Sequence, residues 1–463
     1  MSVNGVQRTY DVVETDTGLK RLADSHYQPF FSQNARERKP SAIRSLFPLE
    51  QTPGIISLLA GKPNPTMFPI TSLSFSARSP TSSSLTEEQS FTLSPEEMAI
   101  GLQYGATAGI PPLREWIYGL QEKNHGRKKG EGWSVFVGSG SQDLIYKAVQ
   151  ALVDDGDSVL IESPVYSGVL PMFQSLHCEL IGKLEIQTDA DGISTSSLRS
   201  VLENWPSGKK RPKVLYTVPY GCNPTGMTAT LERRKEVLKL ARKYDLIILE
   251  DDPYFYLYYG TAPRVPSYFS LEKDLLPEVG RVLRFDSFSK VLSAGIRVGF
   301  ASGPDGILTA LEKHTATSNL QTSSLTQVIV NKLLQAWGHD GFKTHTERVA
   351  AFYEAKRDMF QKAMEKYLDG YAEWVKPEAG MFFWYVFKLK LPNNNEADEG
   401  DSESVIRGRA FDKGVLALPG KVFLPNGNST AYVRASFSIN PEEEVYEALR
   451  RLREALDSVR AEL

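Results

Sequence analysis

Between Val135 and Ala301 the sequence alternates short apolar runs with segments of helical periodicity, and this alternation leaves few architectures open. The apolar runs are Val135-Phe136-Val137, Val159-Leu160-Ile161, Val214-Leu215-Tyr216, Leu246 to Leu249, Val282 to Phe285 and Val298 to Ala301. Helical patterns fall between them near Gln142 to Leu152, Leu198 to Asn204 and Leu231 to Tyr244. Strands that are apolar on both faces and joined by helix-length crossovers predict an α/β fold, a mostly parallel sheet covered by helices. In such sheets ligands sit beyond the carboxyl ends of the strands. The residues that follow each apolar run are therefore where chemistry is sought.

The rest of the chain does not follow that pattern. A long helical region, about Pro304 to Tyr367, leads to strands at Ala372–Val375 and Phe382–Phe387, a helix after Ser404, a strand at Tyr432–Ala435 and a closing helix from Pro441. This is a smaller α+β unit. A chain of 463 residues also exceeds what one hydrophobic core supports. The expected division is an N-terminal arm and part of the small domain over 1–95, a large domain over 96–340 and a small C-terminal domain over 341–463. The first forty or so residues are polar and weakly periodic, an arm expected to order only against something else. Residues 79–94, rich in Ser and Thr, predict an exposed hairpin or loop, and the acidic 393–404 a solvated loop.

Composition excludes several function classes. A formal net charge of -3 and a pI near 6.2 provide no basic field for nucleic acid or an anionic membrane. No apolar run reaches the roughly 18 residues that a membrane-spanning helix needs. Cys178 and Cys222 make no disulfide framework and match no zinc spacing, and the six histidines include no HExxH, so no metal site is expected. The first twenty residues lack an apolar signal core and contain acids that transit peptides avoid, which predicts a cytoplasmic address.

Four motifs follow predicted strands. Ser287-Phe288-Ser289-Lys290 comes after Val282 to Phe285, with Arg297 close behind. An amine there can form a Schiff base, while the hydroxyls and the guanidinium can hold a phosphate. Gly138-Ser139-Gly140-Ser141-Gln142 joins a strand to a helix, where free N–H groups and the helix dipole favour an anion. It lacks the third glycine of a dinucleotide fingerprint and the GK[ST] of a Walker loop. Glu250-Asp251-Asp252-Pro253-Tyr254 places carboxylates at a strand end, as a ligand-facing acid or a helix cap. Buried beside a pyridine nitrogen, such an acid keeps that nitrogen protonated and makes the ring an electron sink. Asn223-Pro224-Thr225-Gly226 is a turn whose Asn can aim a side-chain amide into a site.

With SPVYSG at Ser163 and YVRASFS at Tyr432, these motifs give the chain the order and spacing of a known family. It resembles the fold-type I pyridoxal-phosphate aminotransferases of class I/II, and within them the kynurenine/aminoadipate aminotransferases and the fungal aromatic-amino-acid aminotransferases. The likeness runs from about Arg38 to the C-terminus. It implies that the large domain binds pyridoxal 5'-phosphate, that Lys290 carries it as an internal aldimine and then shuttles the proton at the substrate Cα, and that Asp251 pairs with the ring nitrogen. Tyr166 would stack on the ring. Asn223 and Tyr254 would bond its phenolic oxygen, and Ser141, Gln142, Ser287, Ser289 and Arg297 would hold its phosphate. For the substrate, the resemblance implies a bidentate carboxylate clamp by Arg434, with Asn223 and Gly61 close by and Arg44, on a mobile segment, meeting the distal carboxylate of acidic substrates. Tyr104 would reach the partner subunit's phosphate, so a homodimer with shared active sites is implied.

The activity implied is ping-pong transamination between an aromatic amino acid, 2-aminoadipate or kynurenine and 2-oxoglutarate. The longer N-terminal arm and the two insertions depart from the family pattern and bear on substrate preference. A carbon–sulfur lyase or decarboxylase is the rival within the cofactor class. A non-catalytic cofactor-sensing regulator is the rival outside it; that reading needs a DNA-binding domain, for which the forty-odd N-terminal residues are too few and too acidic.

Overall fold

Every apolar run named above forms a strand, and nearly every residue of those strands is buried because helices pack against them. The computed structural model describes residues 9–43, 46, 49–50, 52–59, 61–82, 86–180, 185–388 and 400–462. Contacts divide the chain into two compact units: Met1–Asp155, Leu238–Pro253 and Pro266–His345 form one, and Gly156–Val237, Tyr254–Val265 and Thr346–Leu463 form the other.

An eight-stranded, mostly parallel sheet is the main framework. The first unit contributes, in spatial order, Trp133–Gly138, Gly299–Pro304, Val282–Ser287 and Ile247–Asp251. Of these, Ile247–Asp251 and Val282–Ser287 run parallel, whereas Gly299–Pro304 is antiparallel to both its neighbours. The helix Ser141–Leu152 lies across this group, with Leu144, Ala148, Ala151 and Leu152 fully buried. The second unit contributes Val214–Thr217, Leu160–Ser163, Glu185–Asp189 and the short Gly192–Ile193. Leu160–Ser163 runs parallel to both its neighbours. The pairs Glu185–Asp189 and Gly192–Ile193 carry too few apolar residues to stand out as buried runs.

The expected C-terminal elements are present in the second unit as a four-stranded antiparallel sheet of Ala372–Trp374, Phe382–Phe387, Tyr432–Ser436 and Leu418–Pro419. Side chains alternate along a strand. Phe383, Tyr385 and Phe387 enter a core with Val433, Leu449 and Leu452, the last two from the closing helix Glu442–Glu462. Phe382, Trp384 and Val386 occupy the other, half-buried face. The long helical region is Asp305–Ser318 and Ser324–Leu368, the latter broken at Gly338, where φ is 61°.

The described part of the N-terminal arm packs against the rest of the first unit. Val12–Glu14 and Lys20–Leu22 form a hairpin, Leu22 N–H donates to Val279 O at 2.9 Å, and Tyr27, Phe30 and Phe31 are buried. The Tyr27 hydroxyl donates to Gly280 O at 2.9 Å; a Cβ on Gly280, whose φ is +121°, would lie 2.4 Å from that hydroxyl. The Ser/Thr-rich segment 79–94, expected as an exposed hairpin or loop, supplies the second strand of a hairpin that begins earlier, Ser74–Arg78 paired with Glu88–Thr92 and Phe75 stacked on Phe91. Most of the acidic 393–404 segment lies outside the described residues.

Candidate active site

In the first unit, the strand Trp133–Gly138 passes through Ser139 and Gly140 into the helix that starts at Ser141. Gly140 caps this 12-residue helix with φ +93° and without a side-chain cap hydrogen bond, so the first-turn N–H groups have no intrahelical acceptor. Arg297, itself in the left-handed region at φ +51°, turns back onto this junction. Its Nη2 donates to Ser139 O at 3.3 Å and its Nη1 to Ser289 Oγ at 3.2 Å. A Cβ on Gly140 would lie 2.4 Å from Arg297 Nη2, and one on Gly299 would lie 2.7 Å from Ser141 N. These two glycines let the guanidinium, the serine and the helix start converge. Ser287, Ser289 and Lys290 share one turn, tightened by Ser289 N–H donating to Ser287 Oγ at 3.2 Å. The structure thus gathers Ser141, Gln142, Ser287, Ser289, Lys290 and Arg297 around a positive junction able to seat a phosphate.

Asp251 is the last residue of its strand and is 3% exposed. Its neighbours Glu250 and Asp252 lie on the opposite face by strand alternation, and both meet Arg284. Arg284, with no exposed surface, contacts Asp252 at 2.7 Å, Glu250 at 3.4 Å and Asp286 at 2.7 Å. Gln121 Nε2 then ties Asp286 to Ser302. Burial alone would lower the Arg284 pKa, yet the charges of Asp286, Asp252 and Glu250 hold it well above the ordinary value. Burial raises the Asp286 carboxyl, and Arg284 offsets part of that rise. This network was not legible as a site in the sequence. Its one signal is a charged residue, Arg284, inside an apolar strand.

The second unit holds the other group. Asn223, 6% exposed, sits in a turn with cis bonds at Asn223–Pro224 and, upstream, at Ser163–Pro164. Arg434, on the central strand Tyr432–Ser436, donates from Nη1 to Asn223 Oδ1 at 2.8 Å. Its guanidinium stacks on Phe382 at 4.3 Å and lies 5.2 Å from Phe423. Nε is buried and has no hydrogen-bond partner among the described residues. Burial lowers the Arg434 pKa, and the nearby Tyr254 and Tyr166 phenols oppose that shift. Tyr254 meets the same Phe382 edge-on at 6.1 Å. Tyr166 folds back so tightly that a Cβ on Gly168 would lie 2.4 Å from its ring. Asn223, Arg434, Tyr254 and Tyr166 are therefore brought together, along with Phe382, which the sequence marked only as strand.

Residues 84–452 match the family described as Aminotransferase class I and II. The chain belongs to that family. It is 42% identical over 430 residues to aminotransferase tdiD of Emericella nidulans, covering 93% of this chain and 95% of that protein. It is 37% identical to the mitochondrial kynurenine/alpha-aminoadipate aminotransferase of Bos taurus, covering 92% and 98%. Among solved structures it is similar to aminotransferase Aro8 from Candida albicans, with a TM-score of 0.83 at 26% identity and coverage of 94% and 98%. The class I and II aminotransferase reading made from the motifs is borne out, as is the fold.

Two expected positions of this aminotransferase are exposed, and a third is not among the described residues. Tyr104 is 55% exposed, and Gly61 is exposed with no atom within 4 Å of a Cβ built on it. Arg44 lies outside the described residues. No helix among the described residues is long and apolar enough to cross a membrane, and they include no cluster fit for a metal ion.

Proposed function

We propose that this aminotransferase uses pyridoxal 5'-phosphate on Lys290 to move the amino group of an aromatic amino acid, 2-aminoadipate or kynurenine to 2-oxoglutarate, as a homodimer. The observation that carries the substrate reading is Arg434: a half-buried guanidinium over the Phe382 ring, with one nitrogen on Asn223 and Nε without a partner among the described residues, suited to an α-carboxylate. An aromatic floor beside that cation suits a substrate with an apolar side chain.

The first-unit residues fit the cofactor. The Gly140–Ser141 helix start, Arg297, Ser287 and Ser289 form a cradle that a Cβ at Gly140 would fill, and Lys290 leaves the same turn. When bound, pyridoxal phosphate supplies a ring that stores the electron pair released at the substrate Cα. Lys290 is the base that takes the Cα proton and returns it on the other side of the transfer. The Asp251 carboxylate, held in a buried strand end, keeps a proton on the ring nitrogen. With the cofactor bound, Asn223 and Tyr254 would donate to the ring's phenolic oxygen, Tyr166 would stack on the ring, and Arg434 would hold the substrate carboxylate so that Cα is presented to Lys290.

The exposed ring of Tyr104 supports its role toward a partner subunit's phosphate, and Arg44 is assigned the distal carboxylate of acidic substrates. Because donor and acceptor use one site in turn, the kinetics are ping-pong. The test is phenylalanine with and without 2-oxoglutarate. Sustained turnover only with the oxo acid supports transamination; sustained breakdown of an amino acid without it assigns a lyase.

A further inference from the structure

Glu162 sits in the middle of a buried run, Leu160–Ser163, flanked on both sides by parallel strands, and is 1% exposed. A carboxylate in such a place is tolerated only if donors surround it. Three of its donors come from one segment. Oε1 accepts from the Thr217 hydroxyl at 2.5 Å, and Oε2 accepts from Val218 N–H at 3.1 Å and from the Cys222 thiol at 3.7 Å. Thr217 and Val218 begin the loop that leaves the strand Val214–Thr217, and Cys222 ends it, directly before Asn223. One carboxylate therefore grips both ends of the loop that delivers Asn223.

The far side of that loop is fixed as well. Cys222 N–H donates to Met227 O at 2.9 Å and Gly226 N–H to Cys222 O at 2.6 Å, closing the turn. Gly221, at φ +47°, lies so near the Ala379–Gly380 backbone that a Cβ would sit 2.6 Å from Ala379 C. Asn223 is thus suspended between Glu162 and the segment that leads into Phe382, with its Oδ1 committed to Arg434.

We propose that Glu162 is a positioning residue for Asn223 and, through it, for Arg434. It sets both the donor that meets the cofactor's phenolic oxygen and the partner that orients the carboxylate clamp. This rests on the reading of Asn223 under Proposed function. The pair of oxygens matters because a glutamine in this place presents an NH2 group to donors and cannot satisfy them all.

The experiment is a spectrophotometric pH titration of the holoenzyme without substrate, following the yellow absorbance band of the bound cofactor. Losing a donor to the phenolic oxygen raises the midpoint, because that hydrogen bond favours the unprotonated form. Asn223→Ala is expected to raise it by about one pH unit or more, and Glu162→Gln to raise it in the same direction by a smaller amount. Glu162→Gln should also raise KM for phenylalanine more than it lowers kcat. Thr217→Val removes a single donor and serves if Glu162→Gln does not fold; a smaller upward shift is expected. Thr188→Val, which loses only a bond to Ser163 O at the same strand end, should leave the midpoint in place. If Asn223→Ala moves the midpoint while Glu162→Gln and Thr217→Val lower only the melting temperature, Glu162 is structural and the proposal falls. If Asn223→Ala itself leaves the midpoint unmoved, the assignment of Asn223 falls first.

Discussion

Arg284 in the first unit and Arg434 in the second are both arginines on central strands, yet their surroundings differ in kind. Arg284 has no exposed surface and meets three carboxylates, those of Glu250, Asp252 and Asp286. Arg434 is half-buried and meets an amide and two aromatic rings, with no carboxylate against it among the described residues. Burying a guanidinium costs several kcal/mol unless charge or hydrogen bonds compensate. The first arginine is compensated within the fold. The second is only partly compensated, as a residue must be if it is to take a carboxylate from outside.

The sharpest way to break the comparison is to remove each guanidinium. Arg284→Met should destabilise the protein by about 3 to 5 kcal/mol, since three buried carboxylates lose their cation. The deficit has a pH signature. Asp286 already has its carboxyl raised by burial, and a raised acid binds its proton more tightly in the folded state, so protonation favours folding as the pH falls. The gap between variant and wild type in denaturant unfolding should therefore narrow from roughly pH 8 to pH 5. A variant with wild-type stability at both pH values would make the network dispensable.

Arg434→Ala should instead leave stability almost unchanged and cut kcat/KM for phenylalanine and glutamate alike, by an amount worth roughly 2 to 5 kcal/mol. A large loss of stability with intact kcat/KM would reverse the roles of the two arginines. The smallest effect belongs to Arg44. Arg44→Ala should lower kcat/KM for glutamate and 2-aminoadipate, which carry a second carboxylate, and spare phenylalanine in single-turnover half-reactions. Equal losses for both substrate types would show that selection of the side chain lies elsewhere.

The same contrast explains what was legible in the sequence. The positions of the strands and the parts of the candidate phosphate cradle depend on local signals: apolar runs, a glycine-rich strand-to-helix junction, a serine pair before a lysine. Each of those signals is contained within a few consecutive residues. The Arg284 network joins Arg284 and Asp286 to Gln121 and Asp252 from distant stretches, and Glu162 reaches Thr217 and Cys222 across about sixty residues. A buried charge announces itself only through its partners, and a sequence does not pair them. What the N-terminal arm packs against was hidden for a related reason. Its polar average conceals His26-Tyr27 and Phe30-Phe31, whose aromatic rings seat it against Gly280 and its neighbours. Phe382 was readable as strand, but its role under Arg434 depends on the register that places Trp384 opposite Arg434.

The assignment of chemistry to this chain rests on Lys290, which leaves a buried strand end in the same turn as Ser287 and Ser289. The direct measurement is borohydride reduction of the purified holoenzyme, followed by mass spectrometry of the peptides, for wild type and Lys290→Ala. The account predicts a single phosphopyridoxyl-modified peptide containing Lys290 in the wild type and no covalent modification in the variant, with transamination abolished. Reduction that fixes the cofactor to another lysine, or that persists in Lys290→Ala, would contradict it.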